Sequence, residues 1–343
     1  MSNTKIRNMD EFAAMSGISR PTLSKYFNDP TSVRSSTRQR IESALADVDY
    51  RPNMYAINQN RRMTNNIGIV VPYLADPFFA EIARVMEQHV IDAGFRPVLL
   101  GSHGLPSQEI ENLDNLRLVK PAGVLLAPLG RTSELDRIAD FCADVPTVFF
   151  DANIEPLGEA FSGSDNMQSI GLIVDYLCRT GEPPVFFEMK TPSNPNAYKR
   201  RNAYVAAMER LGQEPHLVQV EGEGWDFENI GFTGAQAVLS SRGLPSNTLL
   251  CSNDRLAIGL LAAAYQLGFR VGQGEGCALR VAGHDDHPFS RYTCPALTTV
   301  SQDYSAIATR AAEVLFGIIE SGHRPDQKLE SHFEGRLIMR GSA

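Results

Sequence analysis

Short apolar runs alternate with helix-length amphipathic segments along most of this chain, from Ile67 onward. Eight runs have the length and composition of buried strands: IGIVVP (67–72), PVLLG (97–101), GVLLAP (123–128), PTVFFD (146–151), PVFFEM (184–189), HLVQVE (216–221), TLLCS (248–252) and LRVAG (279–283). Alternation of strands and helices implies right-handed βαβ crossovers and parallel sheets covered by helices on both faces. So many units divide more readily into two doubly wound sheets than into one.

The first 66 residues differ in charge from the rest of the chain. They carry ten Lys and Arg against six Asp and Glu, which gives a net charge of +4. The remaining residues have a net charge of −12, so the whole chain has a net charge of −8. An acidic body repels DNA, whereas a small basic segment can bind it. The charge split therefore indicates a basic head joined to an acidic body.

The head has the pattern of three short helices. Asn8 to Glu11 has the form of a capping box, and Gly17 ends the first helix with a residue that tolerates positive φ. Ser19 caps a second helix that has a proline in its first turn, and a third helix is predicted over about 35–48. Two short helices joined by a tight glycine turn predict a helix-turn-helix.

Several classes of protein are disfavoured. The five cysteines are scattered with no CxxC pair, which is typical of a reducing compartment and predicts a cytoplasmic protein. No apolar stretch approaches the ~20 residues of a membrane span, and the start has no apolar run typical of a signal peptide. Neither a membrane association nor secretion is expected.

Catalytic and metal-binding motifs are also missing from the sequence. There is no glycine-rich phosphate loop, no GxSxG elbow and no paired catalytic arrangement, so neither an enzyme nor a cofactor is predicted. His284 and His287 have loose spacing in a segment that contains proline, and no metal site is predicted there.

Polar side chains follow several of the predicted strands. Ligands in open α/β sheets lie beyond the carboxyl ends of the strands, which selects the segments Asp76–Phe79, Asp165–Asn166, Asn253–Asp254 and His284–His287. Ionised carboxylates accept paired hydrogen bonds from adjacent hydroxyls, so these exits predict a sugar or sugar derivative as ligand. Of these residues, Asp254 and Asp286 are expected to cap helices or fix loops, and Phe78 and Phe79 to divide between core and cleft.

The segments GISRPTLSKYFNDPTSV, TRQRIESALADVDYRPN and IGIVVPYLADPFFAEI resemble the lactose/galactose repressor (LacI/GalR) family, and the resemblance covers almost the whole chain. It implies a three-helix helix-turn-helix head (1–52), a hinge helix or linker (53–66) and a two-lobed body like the periplasmic sugar-binding proteins (67–343). The N-lobe is predicted over about 67–165 and 296–325, and the C-lobe over about 166–295 and 326–343.

In that family the second helix of the head enters the major groove. By resemblance, Arg20 and Pro21 occupy its base-reading positions, and Lys25 lies one turn further on. Arg20 can make a bidentate contact to guanine, whereas Pro21 offers only apolar contact. Side chains expected to hold phosphates instead are those of Thr22, Ser24, Asn28 and Thr37.

The hinge departs from the family pattern. Where the family usually has a leucine that wedges between base pairs, this chain has Gln59, so strong DNA kinking is not expected. Asn58, Gln59 and Asn60 can instead hydrogen-bond groove edges, and Arg61 is expected to meet phosphates. A polar linker without a groove contact is the alternative.

The resemblance also selects effector-binding residues in the body. Arg200 matches the family's ligand-clamping arginine, although it stands in R-x-x-A-Y where the family commonly has a glycine in place of Ala203. Trp225 matches an aromatic that covers an apolar sugar face, with an anchor at the lobe surface as the alternative. The full predicted set is Phe78, Phe79, Asp165, Arg200, Trp225, Asn253, Asp285 and Gln302.

These features together predict a transcriptional repressor that binds palindromic operator DNA and responds to a small polar effector held between two lobes. Because one head reads only a half-site, a homodimer is expected. The alternative is a cytoplasmic sugar-binding or sugar-processing protein without DNA regulation.

Overall fold

The computed structural model describes residues 4–6, 8–28, 30–50, 63–241 and 244–343. These residues form two compact units, one that ends at Thr64 and one from Asn65 to Ala343. The predicted hinge residues Asn58, Gln59, Asn60 and Arg61 lie outside the described residues.

The head contains the three predicted helices. They are α1 (Met9–Ser16), α2 (Arg20–Asn28) and α3 (Ser35–Ala46), with a 3-10 turn at Pro30–Ser32 and the short parallel strands β1 (Thr4–Lys5) and β2 (Val48–Asp49). The Asn8 side chain accepts a hydrogen bond from the Glu11 amide at 2.9 Å, and Gly17 ends α1 at φ +64°. The third helix is shorter than predicted, because Val48 lies in β2 and pairs with Thr4 of β1.

A small aromatic and aliphatic core holds the head together. Phe12 is fully buried, and its ring stacks on that of Tyr50 at 4.8 Å. The other buried apolar residues of this core are Ile6, Ile18, Leu23, Tyr26, Val33, Ile41 and Val48. With so few core residues, each one contributes a large share of the stability of the head.

The first sheet of the body is parallel throughout. Its strands, in spatial order, are β4 (Arg96–Gly101), β3 (Asn66–Val71), β5 (Gly123–Leu126), β6 (Thr147–Phe150), β7 (Ala160–Ser164) and β13 (Leu329–Phe333). The helices α4 (Pro77–Asp92) and α11 (Tyr304–Ser321) cover one face. The other face packs against α5 (Pro106–Leu118) and α6 (Leu135–Asp144), and a 3-10 turn lies at Gly130–Thr132.

The second sheet is parallel as well. Its order is β11 (Arg280–Ala282), β10 (Thr248–Cys251), β8 (Val185–Met189) and β9 (Leu217–Val220). One face packs against α9 (Phe227–Ser240) and α10 (Asp254–Gln266), and the other against α7 (Asn166–Thr180) and α8 (Asn196–Arg210). All eight predicted strands are therefore confirmed, and so are the two doubly wound sheets.

The lobe boundaries need correction. The strand β12 (Thr299–Ser301) pairs antiparallel with β14 (Arg336–Ile338) and bridges to the second sheet through Ala282–Thr298 and Asp285–Ser301. The predicted return to the N-lobe at residue 296 was thus too early. Conversely, β13 was predicted in the C-lobe but pairs in register with β7 of the first sheet. The chain therefore passes between lobes near residues 165, 302 and 334.

A further 3-10 turn at Ser290–Tyr292 follows β11. Among the described residues, no helix combines the length and the apolar character that a membrane span requires.

Candidate DNA-binding face and effector site

One side of α2 is polar and open to solvent. Arg20, Pro21 and Lys25 are exposed, whereas Leu23 and Tyr26 on the opposite side are buried in the core of the head. The predicted phosphate-binding residues Thr22, Ser24 and Thr37 are half-buried, and the side chain of Asn28 lies outside the described part of the structure. The Thr22 hydroxyl lies 2.8 Å from that of Ser19.

Arg20 makes one ion pair within the head. Its guanidinium lies 3.4 Å from the Asp10 carboxylate, and both side chains are about two-thirds exposed, at 65% and 67%. A pair in water at this distance is weak and exchangeable. The guanidinium is therefore available to an outside partner at little cost.

Arg200, in contrast to Arg20, is almost fully buried. It lies on α8 at the junction of the two lobes. Its Nη1 donates to the Ser252 carbonyl and its Nη2 to an Asp285 oxygen, both at 2.7 Å, and its Nε donates to Asn166 at 3.3 Å. Only 3% of the side chain is exposed. The chain thus holds this cation in one orientation with its own groups.

Asp285 is the centre of the same network. Its Oδ1 also accepts a hydrogen bond from Gln302 Nε2 at 2.6 Å, and Gln302 Oε1 accepts from the Ser164 hydroxyl. Burial acts to raise the pKa of Asp285, but the charge of Arg200 outweighs it and holds that pKa below its usual value. Three predicted effector residues, Arg200, Asp285 and Gln302, are therefore brought into direct contact.

His284 borders this network as a neutral side chain. Burial first, and then the charge of Arg200, lower its pKa to about 4. Its ring nitrogens lie 3.1 Å from Asp285 Oδ1 and 3.0 Å from Ser169 Oγ.

Within the described residues, no group of three His, Cys, Asp or Glu side chains is arranged to hold a metal ion.

Trp225 packs one lobe against the other. It precedes α9 in the second lobe, yet its ring stacks on Tyr73 of the first lobe at 5.7 Å and meets Phe79 edge-on at 5.9 Å. The indole is buried, at 6% exposure. Gly104 allows this approach, because a Cβ there would lie 2.5 Å from the indole Nε1. In this conformation other aromatic rings cover Trp225.

Phe78 and Phe79 divide between cleft and core as expected. Phe79 is fully buried in the apolar cluster between sheet and helices, whereas Phe78 is only partly buried. Phe78 lines a cavity of about 40 Å³ between the lobes, together with Asp76, Arg255 and Asp285. This space holds a few water molecules at most.

Two of the predicted effector residues cap helices. Asp165 accepts from the Gln168 amide at 2.9 Å at the start of α7, and Asn253 accepts from the Leu256 amide at 2.8 Å at the start of α10. One side-chain oxygen of each residue is thereby committed to the backbone. Only the remaining atoms of these side chains are available to a ligand.

Asp254 and Asp286 fix loops, as predicted. Asp254 is fully buried and accepts from the His287 amide at 2.8 Å and from the hydroxyls of Ser290 and Thr299 at 2.6 Å each. Burial, and then the nearby charge of Asp285, raise the pKa of Asp254 to about 7. Asp286 pairs with Arg340 at 2.7 Å.

The predicted set omits a second carboxylate at the lobe junction. Asp151 follows β6 in the first lobe, and its Oδ1 accepts from Asn196 Nδ2 of the second lobe at 2.8 Å. Burial raises the pKa of Asp151 to about 7, against the lowering charge of Arg200. The signal was in the sequence, because Asp151 stands at a strand exit like the chosen residues.

Arg255 was missed as well. It lies near the start of α10 and joins Glu228 of its own lobe to Asp76 of the other. No sequence pattern marks it, since an arginine on a helix is ordinarily a solvated surface residue.

Comparisons with known proteins agree with this architecture. Residues 166–343 match the model of a periplasmic binding protein-like domain, and residues 8–53 match the model of the bacterial regulatory proteins of the lacI family. Its head belongs to the lacI family of bacterial regulatory proteins, and its body to the periplasmic binding protein-like domains. The resemblance seen in the sequence is thus confirmed.

Individual lacI-family relatives are similar over nearly the full length. The ribose operon repressor of Escherichia coli (strain K12) is 28% identical over 342 residues, which are 98% of this chain and 99% of the relative. A crystal structure of the Lac repressor dimer, bound to operator and the anti-inducer ONPF, superimposes with a TM-score of 0.82 at 22% identity and 99% coverage of both chains. A complex of the transcriptional regulator CelR with cellobiose gives a TM-score of 0.66 at 21% identity, covering 98% of this chain and all of the other.

Membership of the lacI family determines the class of function. The chain is a DNA-binding transcriptional regulator and not an enzyme, because it shares both the head and the body of this family. The alternative of a sugar-binding or sugar-processing protein without DNA regulation is therefore wrong.

Proposed function

We propose that this regulator is a homodimeric repressor whose affinity for a two-fold symmetric operator is set by a small, hydroxyl-rich effector bound between its lobes. The network of Arg200, Asp285 and Gln302 at the lobe junction carries this proposal, because it links groups from both sheets at the strand exits. A ligand that contacts such a junction is sensitive to the angle between the lobes.

The head supports the DNA-binding half of the proposal. We assign Arg20 to the reading of guanine, Pro21 to an apolar base edge and Lys25 to a contact one turn further along the duplex, because all three are exposed on α2. Side chains assigned to phosphates are Thr22, Ser24, Asn28 and Thr37, and those assigned to the minor groove and its backbone are Asn58, Gln59, Asn60 and Arg61. One head reads one half-site, so a palindrome calls for two copies, as in the operator-bound Lac repressor dimer.

The body supports a sugar as effector. Asp285 presents a carboxylate to the cleft, and Phe78 supplies apolar surface for a sugar ring. Trp225 is covered by other aromatic rings in this conformation, so it can add its ring only once the lobes separate. Further contacts are assigned to Phe79, Asp165, Arg200, Asn253 and Gln302. One similar protein is named the ribose operon repressor, and the structure of another, CelR, is a complex with cellobiose.

Coupling between effector and operator follows from differential affinity. An effector that prefers one arrangement of the lobes shifts the population of dimers able to bind DNA by the ratio of its affinities for the two arrangements. We assign this control to the body (67–343), acting through the linker (53–66) on the head (1–52).

We also propose a cytoplasmic location. The five cysteines are free thiols, and three of them are not fully buried, which suits a reducing compartment.

The test uses the purified full-length chain. Mobility shifts on two-fold symmetric fragments, with a scrambled fragment of equal composition as control, should show binding that weakens at least about tenfold between 50 and 200 mM salt. Ribose, cellobiose and a panel of polyols are then screened for a raised melting temperature and for a change in operator affinity.

A pair of variants sharpens the effector half. Phe78→Ala should weaken the response to any sugar that passes the screen, whereas Leu135→Ala, an exposed leucine on α6, should leave it unchanged. The absence of salt-sensitive binding to every symmetric fragment, with and without the sugars, would overturn the proposal.

A further inference from the structure

Arg255 joins the two lobes by pairing with two carboxylates. Its Nε and Nη2 donate to the two oxygens of Glu228 at 2.7 and 2.6 Å, and its Nη1 donates to Asp76 Oδ2 at 3.0 Å. Glu228 lies on α9 beside Arg255, whereas Asp76 precedes α4 in the first lobe. The forked pair with Glu228 fixes the plane of the guanidinium and leaves one nitrogen directed across the cleft.

The first-lobe end of this contact is equally fixed. Asp76 Oδ1 accepts from the Phe78 amide at 3.0 Å and caps α4, so its Oδ2 remains for Arg255. The Arg255 guanidinium carbon lies 5.0 Å from the centre of the Phe227 ring, which supports it from one side. Each partner is therefore anchored in its own lobe by a second contact.

The contact is shielded from water. Only 13% of the Arg255 side chain and 10% of the Asp76 side chain are exposed. Ion pairs out of water are screened far less than surface pairs and depend strongly on geometry. Burial raises the pKa of Asp76. The charge of Arg255 lowers this pKa, and the nearby charge of Asp285 raises it. Without Arg255, Asp76 would lose its paired cation while the repulsion from Asp285 remained.

The same residues leave no room for a sugar. Arg255, Asp76, Phe78, Asp285 and His287 enclose the cavity of about 40 Å³ between the lobes. Because a pentose is several times larger than the few waters that fit there, a ligand can contact all of these residues only after the lobes separate at this point.

We propose that Asp76, Glu228 and Arg255 form an interlobe latch, which holds the lobes closed without a ligand and which an effector must open. The ion pair between Asp76 and Arg255 is the closing contact, and Glu228 positions the guanidinium. The role toward an effector rests on the proposed function, whereas closure of the free protein does not.

Trp225 provides a reporter of the latch. It is the only tryptophan in the chain, and it is buried against Tyr73 of the opposite lobe. Separation of the lobes removes this stacking and exposes the indole to solvent. Quenching of its fluorescence by acrylamide therefore measures opening directly, with neither DNA nor effector present.

Two substitutions break the closing contact from opposite sides. Arg255→Gln removes the cation, and Asp76→Asn removes the anion while an amide oxygen can still cap α4. Each should raise the quenching constant of Trp225 about twofold or more by shifting the population toward open lobes, and the double variant should add nothing further. Glu228→Gln should raise it by less, because Arg255 keeps its charge and loses only its positioning.

Arg137→Gln is the matched control. It breaks an arginine–aspartate pair of 2.8 Å with Asp114, inside the first lobe, and should leave quenching unchanged. Circular dichroism verifies that each variant is folded, and Asp76→Asn decides the matter if Arg255→Gln fails to fold. Unchanged quenching in the folded variants would overturn the latch, even where operator binding and effector response establish the proposed function.

Discussion

Two arginines show how differently the head and the body use the same side chain. Arg20 on α2 is 65% exposed and makes one ion pair of 3.4 Å with Asp10. Arg200 on α8 is 3% exposed and has three partners, Asn166, Ser252 and Asp285, at 3.3 Å or less. The head therefore leaves Arg20 exposed and weakly paired, whereas the body fixes Arg200 with buried contacts of its own.

This difference agrees with the role that we propose for each arginine. A base-reading arginine needs mobility and access to a groove, and its folding role is small. A side chain that links the state of a cleft to the arrangement of two lobes needs a defined orientation, which buried hydrogen bonds provide. Substitutions should thus affect DNA binding in the head and stability in the body.

The largest effect is expected for Arg200→Ala. Removing this cation leaves the carboxylate of Asp285 without its main partner in a buried setting, so the free energy of unfolding of the body should fall by about 3–5 kcal/mol. Urea unfolding measures the loss. Arg210→Ala on the same helix, which breaks a half-exposed pair with Asp175, should cost only about 0–1 kcal/mol. Equal losses in the two variants would contradict the contrast.

An intermediate effect is expected for Asp151→Asn, through pH. Since burial raises the pKa of Asp151 from 3.8 to about 7, the folded chain keeps a proton between these values that the unfolded chain has released. The free energy of unfolding therefore falls as pH rises through this window, by about 1.4 kcal/mol per pH unit from this group. The asparagine variant carries no such proton and should show a shallower fall.

Urea unfolding between pH 4 and 8 tests the Asp151 prediction. Summed across the window, the free energy of unfolding should fall by roughly 2–4 kcal/mol more in the wild-type chain than in the variant. The two slopes should become equal above pH 8, where the folded wild-type chain has lost the proton. Asp254 has a similar pKa and stays in place, so some pH dependence remains in the variant. Parallel profiles would rule out a proton held on Asp151.

The smallest effect is expected for Arg20→Ala. Its free energy of unfolding should change by no more than about 0.5 kcal/mol, because the side chain is exposed. Operator affinity should fall by about 1–3 kcal/mol, and preference should relax at one base position of each half-site. Titration against operators substituted at each position measures this. Lys25→Ala, as a comparison, should weaken all operators alike, and a uniform loss for Arg20→Ala would refute base reading.

Local signals in the sequence sufficed for the elements of both regions. The cap at Asn8, the glycine at position 17 and the eight apolar runs predicted helices and strands that the structure contains, because caps and periodicity act over a few residues. The strand-exit rule likewise brought Asp285 into the candidate site, and the family resemblance brought Arg200 and Gln302.

Local sequence signals did not predict the pairing of segments that lie far apart in the chain. The strand β13 was placed in the wrong lobe, because its pairing with β7 joins Leu329 to Ala160 across a large part of the chain. Asp76 could not be predicted as a partner of Arg255 for the same reason, since the two residues lie far apart in sequence and only the tertiary structure brings them together.

The sequence by itself determined a basic three-helix head, an acidic body of two parallel sheets and the polar side chains at the strand exits. Only the tertiary structure decided which of those side chains meet across the lobes, which ones cap helices, and which of the two arginines stays exposed. The physical reason is that helix and strand formation depend on neighbouring residues, whereas ion pairs and burial depend on distances between segments that the chain order does not specify.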